Sequence, residues 1–504
     1  RDQMVGPWQV PVADCAVTLA DFQGFAGEAM SMGERTPLAA LNAPASGRMA
    51  IAEAITNLLA APIELNRVKL SANWMAACGE EGEDAALYDT VHAVGMELCP
   101  ALGISIPVGK DSLSMRTQWR QDGIDYKVTS PVSLIVSAFA SLADVRSTLT
   151  PQLNAQEETT LVLVQLGLGA RRMGGSILGQ VLKQFGDVVP DLDNPQDLVQ
   201  LVKAINQLRS ENQILAYHDR SDGGLLAAVC EMAFAGQVGV ALNVDILITE
   251  SDGIQDSRAD YGDSKNWATQ VSARREALTL EALFNEELGV VIQVKTEDRN
   301  AVMQTLRAHG LSKHSHFIGK TRPHTSSIDK GKDEISIWRD AKEVFKAKLA
   351  DLHLVWDSVS WKICRERDNP DCADAEHASV GRAGHTGLHF HLCEGALDDV
   401  LVQAPVEKVR NPEAEEEGRP RDIGILEGTD HVEFSAGAVR AVLDNGFAVA
   451  AVIEEDESVE GVGVLEILDG GLGVGDFGSD EGFGGGFAEG VHSEPHDDCA
   501  AGDE

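Results

Sequence analysis

The chain has 504 residues and carries 80 acidic against 41 basic side chains, a formal net charge of −39. Such an excess of negative charge repels nucleic acid and anionic membrane surfaces, so neither is an expected partner. Hydrophobic residues make up 43% of the chain and charged residues 24%, which is typical of a globular protein with two to four domains.

The first predicted domain, residues 1–155, alternates apolar strands with Ala-rich helices. The runs VPVADCAVTLA, RVKLSANWMA and SPVSLIVSAFASL predict strands, and SGRMAIAEAITNLLAA and DAALYDTVHAVGMELCPALG predict helices. Gly103, which ends the second helical run, is a predicted C-cap. The alternation predicts an α/β domain.

The second predicted domain covers residues 156–333. TTLVLVQLGLG predicts a buried strand, ARRMGGSILGQVLKQFG predicts a helix that begins near glycine, and LGVVIQV and HSHFIGKTR predict further strands. Residues 249–276 are polar and lack periodicity, so we expect an exposed insertion there.

The remaining sequence divides into a linker and a tail. Residues 334–410 predict a helical linker, because Trp, Leu and Val recur through a mostly helical pattern. Residues 411–504 begin with one predicted strand–helix–strand unit, DIGILEGTDHVEFSAGAVRAVLDNGFAVAAVI. They continue as an acidic Gly-rich tail that predicts disorder or degraded sequence.

Cysteine usage and apolar run lengths indicate the compartment. The eight cysteines include no C-x-x-C pair, which favours a reducing compartment and argues against a zinc site or a disulfide framework. No window holds 18 consecutive apolar residues, so we expect no membrane span. The chain begins without an initiator Met or a basic-then-apolar leader. We therefore expect no signal peptide and a start inside a longer protein.

Three separated segments offer oxygen ligands. Asp14 interrupts an otherwise apolar strand, Glu53 and Asn57 share one face of a helix at a spacing of four, and Asp219 lies in YHDRSDGGLL between two apolar runs. Carboxylate and amide oxygens suit Mg²⁺, which bridges to phosphates. The hydroxyl of Ser221 can contact a phosphate oxygen, and the glycines after it would let the backbone approach a phosphate closely. The pattern indicates phosphoryl chemistry.

Each segment also has an ordinary structural interpretation. Asp14 is costly to bury unless it is paired or lies at a strand end, and polar pairs such as Glu53 and Asn57 stabilise helices. Asp219 and Ser221 precede a helix, where such residues are common N-caps. VGKDSLSM places Lys110 and Asp111 after an apolar strand, a position that suits a ligand loop but lacks the full P-loop spacing.

Together these strings resemble one family, phosphoribosylformylglycinamidine synthase. The resemblance covers about the first 380 residues in order, through RDQMVGPWQVPVADCAVT, GEAMSMGERTP, VKLSANWMAACG, GEDAALYD, IPVGKDSLSM, YHDRSDGGLL, EMAFAG, LFNEELG and RDNPDCADAEH. It implies the second half of the synthetase core of the large single-chain form. That half is an α/β plus α+β fold: an aminoimidazole-ribotide-synthetase-like N-type domain followed by a C-type domain, a helical linker and a partial glutaminase-like α/β start.

The resemblance also implies a site. Asp14, Glu53, Asn57 and Asp219 match the family's magnesium ligands, and Ala13 and Ser221 match its contacts to ATP or ADP. In the large form these residues belong to an auxiliary nucleotide site that is structural rather than a site of turnover. The first half, which holds the catalytic site in the family, is not part of this sequence, so no catalytic residue is assigned.

The implied parent enzyme is a cytoplasmic, ATP- and glutamine-dependent ligase of purine biosynthesis. It converts formylglycinamide ribonucleotide to formylglycinamidine ribonucleotide by activating an amide oxygen as an iminophosphate that ammonia then displaces. The expected partners are these small molecules and the missing N-terminal half. No nucleophile elbow follows residue 411, and Cys499 lacks that context, so no glutaminase residue is assigned.

Two other interpretations remain. In the first, the chain is a non-catalytic structural half that binds Mg-nucleotide and needs a partner half. In the second, it is a translated pseudogene that does not fold stably. The degraded tail motivates the second of these. The polar insertion near 249–276 departs from the bacterial pattern of the family, and a surface loop there is tolerable.

Overall fold

The computed structural model describes residues 4–5, 10–248, 264–323, 331–380, 442–444 and 447–449. Most of the predicted glutaminase-like start and the acidic tail therefore lies outside the described residues. In the described part of the chain, no helix combines the length and the apolarity needed to cross a bilayer.

The first domain contains two layers, one a five-stranded sheet and the other a set of helices. Its elements in chain order are β1 Met4–Val5, β2 Val10–Pro11, β3 Ala16–Leu19, β4 Gly27–Glu34, α1 Thr36–Ala39, α2 Ala43–Leu58, β5 Lys69–Met75, α3 Glu83–His92, α4 Cys99–Leu102, β6 Ser105–Ser112, β7 Arg116–Gln121, β8 Ile124–Thr129 and β9 Ser133–Leu142. A 3₁₀ turn spans Leu65–Arg67, and a π-helical segment, Ala93–Leu98, joins α3 to α4.

The large sheet of this domain has the order β3-β4-β9-β5-β6, and helix α2 covers one of its faces. Asn42 caps α2 by accepting a hydrogen bond from the Ala45 N–H, at 3.1 Å. Residues of β4 alternate strictly between buried and exposed, because α2 packs on one face of the strand only. Gly33 permits this packing, since a Cβ there would lie 2.2 Å from the Ala50 carbonyl oxygen.

The second domain is built on a seven-stranded sheet with helices against it. Its elements are β10 Thr159–Gln165, α5 Ile177–Val181, α6 Pro195–Ser210, β11 Ala216–Arg220, α7 Gly224–Gly236, β12 Gly239–Asn243, α8 Asp245–Ile248, α9 Ser264–Phe284, β13 Gly289–Lys295, α10 Arg299–Ala308, β14 Ser315–Arg322, β15 Glu334–Arg339 and β16 Lys342–Lys348. The strand order is β11-β13-β10-β14-β12-β15-β16, antiparallel except between β12 and β15.

One apolar core joins the two domains. It contains α2 side chains such as Ile55 and Leu58 together with Val162 and Val164 of β10 and Tyr217 of β11. The other side chains of the same strands, such as Leu161 and Leu163, belong to a second core with α7, α9 and α11. The alternation along β10 therefore places one face of the sheet against the first domain and the opposite face against the helices.

The segment after the second sheet is helical. Its helices are α11 Leu349–Arg367 and α12 Pro370–Val380, which pack against each other. Strands β17 Val442–Asp444 and β18 Phe447–Val449 form a two-stranded antiparallel pair within the run that predicted a strand–helix–strand unit.

Several sequence predictions are corrected by the structure. Residues 334–348 are not part of a helical linker but form β15 and β16 of the seven-stranded sheet, and helix begins only at Leu349. The predicted polar insertion is helical from Ser264, the start of α9, and residues 249–263 lie outside the described part. The helix predicted over ARRMGGSILGQVLKQFG is limited to the five residues Ile177–Val181.

The predicted strand around Asp14 is also interrupted. Strand β2 ends at Pro11 and β3 begins at Ala16, and Val12 between them has a φ of 51°, a conformation that a β-branched residue rarely adopts. Asp14 therefore lies in an irregular connection rather than within a continuous strand.

Candidate functional site

The site is built around β11, the edge strand of the seven-stranded sheet. Because β13 pairs with only one side of β11, alternate N–H groups of β11 point away from the sheet. The Tyr217 N–H donates to the Thr150 carbonyl oxygen at 2.9 Å, and the Asp219 N–H donates to Oδ1 of Asp14 at 2.9 Å. The fold thus joins two of the predicted ligands that are far apart in sequence.

Asp14 and Asp219 each keep one carboxylate oxygen free of hydrogen bonds. Oδ2 of Asp14 and Oδ2 of Asp219 are both buried, and neither has a hydrogen-bond partner among the residues that the structure describes. Buried polar atoms are nearly always bonded, so two unpartnered oxygens on adjoining carboxylates form an arrangement that a cation would satisfy. Ligand atoms of Asp14, Asp219 and His218 lie within 4.8 Å of one another.

His218 occupies this group as a hydrogen-bond donor rather than as a metal ligand. Its Nδ1 lies 2.8 Å from Oδ1 of Asp14, and its Nε2 lies 2.9 Å from Oε2 of Glu231 on α7. Both nitrogens can donate only in the imidazolium form. Burial lowers the pKa of His218, but the carboxylates of Asp14 and Glu231 raise it well above its usual value. The remaining ligand atoms are carboxylate oxygens, the donor type that suits Mg²⁺.

Glu53 and Asn57 approach the same region from α2. Oε2 of Glu53 accepts a hydrogen bond from the Glu34 N–H at 2.9 Å, and Nδ2 of Asn57 donates to the Met32 carbonyl oxygen at 3.0 Å. The nitrogen of the Asn57 amide is therefore occupied, and no described residue donates to its oxygen. The Tyr217 hydroxyl donates to the Thr56 carbonyl oxygen at 2.6 Å, which ties this turn of α2 to β11.

Glu53 and Asp219 are buried carboxyl groups in a cluster of negative charge. Burial raises the pKa of Glu53 well above its usual value; Arg35 opposes this, and the nearby carboxylates of Asp222 and Asp219 add to it. Burial raises the pKa of Asp219 to about 8, and the negative charge of Asp14 adds to that effect. Carboxylates outnumber cations here, so a divalent cation would relieve both repulsion and desolvation.

The turn after β11 is not capped by a side chain. Helix α7 begins at Gly224, and its N-cap is Gly223 with a φ of 77°, which has no side chain to cap the first turn. Asp219 belongs to β11 and Ser221 follows the strand, so the N-cap interpretation of these two residues is wrong. Within the described residues the Ser221 hydroxyl makes no hydrogen bond, and Ala13 lies half-buried directly before Asp14. Both positions are compatible with contacts to a nucleotide.

An ion-pair network closes the site on the side of β4. Nη2 of Arg35 lies 2.7 Å from Oε2 of Glu286, and Nη1 of Arg35 lies 3.4 Å from Oδ1 of Asp222. Oε1 of Glu286 accepts hydrogen bonds from the N–H groups of Gly223 and Ile177, at 3.0 and 2.8 Å. Arg35 from the first domain thereby fixes the Gly-rich turn of the second domain.

Lys110 and Asp111 do not join this site as a ligand loop. They belong to β6, an edge strand, and both are exposed. Nζ of Lys110 lies 2.8 Å from Oγ of Ser112, within the same strand.

Sequence reasoning missed His218, Glu231 and Arg35 as members of the site. His218 directly precedes Asp219 in a strand that is buried at every position, which is an unusual place for three successive ionisable residues. This run of three ionisable residues in a buried strand is the sequence signal that could have identified His218. Glu231 and Arg35 carry no such signal, because their partners come from distant segments of the chain.

Two family models match this chain. Residues 1–141 match the FGAR-AT PurM_N-like domain, and residues 161–329 match the C-terminal domain of AIR synthase related proteins. The chain therefore carries the N-type and C-type domains of the AIR synthase-like fold.

Solved structures that this chain matches include PurL from Thermotoga maritima complexed with FGAR, at 12% identity and a TM-score of 0.47, covering 67% of this chain and 47% of that one. The same PurL complexed with ATP matches at 12% identity and a TM-score of 0.44, covering 66% and 45%. The HypE hydrogenase maturation protein of E. coli matches at 18% identity and a TM-score of 0.40, covering 63% and 84%. The chain spans about half the length of the PurL chains it matches.

Proposed function

We propose that this chain, which carries both domains of the AIR synthase-like fold, is part of an ATP-dependent carbon–nitrogen ligase. The proposed reaction converts formylglycinamide ribonucleotide to formylglycinamidine ribonucleotide in purine biosynthesis, in the large single-chain form of the enzyme. The observation that carries the proposal is the pair of unpartnered buried oxygens on Asp14 and Asp219. It is supported by the family models that match residues 1–141 and 161–329.

In this proposal Asp14, Glu53, Asn57 and Asp219 hold Mg²⁺, which supplies charge neutralisation to the phosphates of ATP or ADP. In the proposal, the residues of this chain bind the cation and the nucleotide and orient the side chains that hold them. The N–H of Asp219 and the ring of His218 hold Asp14, and α2 carries Glu53 and Asn57 towards β11. Ser221 and Ala13 contact the nucleotide, with the Gly223–Gly224 turn allowing its close approach.

The proposed enzyme takes its nitrogen from glutamine through ammonia, functions in the cytoplasm, and needs the N-terminal half of the synthetase core as a partner. The exposed face of the five-stranded sheet supports such a partner, since Met30, Met32 and Phe139 lie on it with 42%, 53% and 42% of their surface exposed. A contiguous apolar face of this kind is typical of a surface that another domain covers.

Calorimetry with the full chain tests the nucleotide site. We expect Mg-ADP to bind the unchanged chain, Asp219→Ala to weaken binding about ten-fold or more, and Asp125→Ala to leave it unchanged. Asp125 is a matched control because it is an exposed carboxylate in the β7–β8 hairpin, 3.5 Å from Arg120. Equal binding by Asp219→Ala and the unchanged chain would show that the ligand assignment is wrong.

An assay with FGAR, ATP and ammonium chloride tests the ligase activity. We expect formation of formylglycinamidine ribonucleotide when the N-terminal half is supplied and little or none without it. Binding of Mg-ADP with no turnover in either mixture would instead identify a non-catalytic nucleotide-binding module.

A further inference from the structure

A chain of hydrogen bonds connects the site to helix α11, which follows the second domain. Oδ1 of Asp14 is 2.8 Å from Nδ1 of His218, and Nε2 of His218 is 2.9 Å from Oε2 of Glu231. The other oxygen of Glu231, Oε1, accepts the indole N–H of Trp356 at 3.1 Å. Trp356 belongs to α11, so a residue beyond the seven-stranded sheet is three hydrogen bonds from a proposed metal ligand.

Two members of this series of hydrogen bonds, His218 and Trp356, are also buried. His218 is 6% exposed and Trp356 is 4% exposed. The Trp356 ring packs against Phe234 of α7 at a centroid distance of 5.8 Å and against His353 at 5.6 Å. Glu231 also lies on α7, so α11 packs against the helix that presents the bridging carboxylate.

Asp14 depends on these contacts for its orientation. It lies in the irregular connection between β2 and β3, where none of the described strands pairs with its backbone. Among the described residues, its carboxylate is held only at Oδ1, by His218 and by the Asp219 N–H, and Oδ2 is left for a cation. Outer partners that orient a ligand in this way commonly change metal affinity by about 10- to 100-fold when they are removed.

We propose that His218, Glu231 and Trp356 are positioning residues for Asp14, so that the affinity of the site for a divalent cation depends on the docking of α11. The inference rests on the proposed function, because it concerns the same Mg-nucleotide site. It goes further in assigning a role to Glu231 and Trp356, neither of which reaches the unpartnered oxygens of the site.

Two tryptophans of α11 provide a matched test. Trp356→Phe removes the indole N–H donated to Glu231 and keeps an aromatic ring against Phe234. Trp361→Phe removes an equivalent donor from the same helix, since the Trp361 indole N–H donates to Oδ1 of Asp374 at 2.8 Å. Binding is measured on the full chain with Mg-ADP by calorimetry and with Mn²⁺ by electron paramagnetic resonance, at a temperature where all variants are folded.

We expect Trp356→Phe and Glu231→Gln to weaken binding of both probes, Glu231→Gln by about ten-fold, and Trp361→Phe to leave binding unchanged. We also expect the bound Mn²⁺ spectrum to broaden in the two former variants, which a general loss of stability would not cause in a folded chain. If Trp356→Phe does not fold, the binding measured for Glu231→Gln tests the inference, since this variant retains every aromatic contact of Trp356.

Three outcomes are distinguishable. Binding by the unchanged chain that Glu231→Gln and Trp356→Phe do not alter would overturn this inference and leave the proposed function intact. Equal losses in Trp356→Phe and Trp361→Phe would also overturn it, because the effect would then belong to α11 as a whole. Absence of binding of either probe to the unchanged chain would overturn the proposed function and this inference together.

Discussion

Oδ1 of Asp14 accepts the backbone N–H of Asp219 at 2.9 Å, although 205 residues separate them in sequence. This bond uses an N–H that the edge strand β11 cannot satisfy within its own sheet. It places two carboxylates of adjoining domains side by side, and in the described part of the chain Oδ2 of each has no hydrogen-bond partner. Carboxyl groups are therefore concentrated where the two domains meet.

Neutralising Asp219 should separate stability from binding. At about pH 9, above the Asp219 pKa of about 8, we expect Asp219→Asn to gain about 1 kcal/mol in unfolding free energy in the ligand-free chain, because a buried carboxylate that is ionised at this pH is removed. We also expect Mg-ADP to lose its stabilising effect. Thermal denaturation with and without Mg-ADP measures both, and Asp125→Asn is the exposed control. A ligand-induced shift in Tm equal to that of the unchanged chain would contradict the assignment.

Ligand stabilisation should increase with pH. Asp219, which faces Asp14, His218 and Glu231, has a folded-state pKa of about 8, above its usual value of about 3.9 in an unfolded chain. Its contribution to stability is therefore complete below about pH 4 and is lost as the pH rises through about 8. A cation binds the ionised carboxylate, so cation binding releases a proton. Binding also restores the stability that is lost when Asp219 ionises.

We accordingly expect the Tm difference between samples with and without Mg-ADP to widen from about pH 6 to about pH 8 and then level off. Calorimetry in buffers of different ionisation enthalpy should show proton release near neutral pH. A Tm difference that is constant over this range would show that Asp219 does not titrate with ligand binding.

The Arg35–Glu286 pair should make a large contribution to the stability of the chain. Both side chains are 2% exposed, and they join the two domains through a 2.7 Å contact. Arg35→Ala leaves a buried carboxylate unpaired, so we expect a loss of about 3–5 kcal/mol in urea denaturation. Arg120→Ala, whose side chain is 70% exposed, should cost less than about 1 kcal/mol. Similar losses of unfolding free energy in Arg35→Ala and Arg120→Ala would show that the Arg35–Glu286 pair does not hold the two domains together.

The glycine turn beside the site should not tolerate a side chain. Gly224 has a φ of 70°, and a Cβ there would lie 2.7 Å from the Asn285 carbonyl oxygen. We expect Gly224→Ala to lower the unfolding free energy by about 1–3 kcal/mol and to weaken Mg-ADP binding. Gly95→Ala is the control, since no atom lies within 4 Å of a Cβ at Gly95, and should be neutral or stabilising. Unchanged Mg-ADP binding in Gly224→Ala would show that the glycine turn is not part of the nucleotide site.

Most long elements of the two domains could be predicted from the sequence, because their apolar periodicity is strong. Strands β5, β9, β10, β13 and β14 and helix α2 all occur where the pattern predicts them. The sequence pattern predicts helix where the hairpin of β15 and β16 lies, because the turn is formed by Asp340 and Ala341 at φ of 52° and 63°. A turn of that kind normally carries Gly or Asn, so the usual sequence signal is missing.

The amino-acid sequence predicts the residue types of the site, with Asp14, Glu53, Asn57 and Asp219 as an oxygen set. The contacts of these residues come from the packing of distant elements. That packing places His218 between Asp14 and Glu231 and leaves one oxygen on each of Asp14 and Asp219 without a partner among the described residues. Local sequence patterns report burial and periodicity within one element, whereas hydrogen bonds between the two domains and to α11 depend on how distant elements pack.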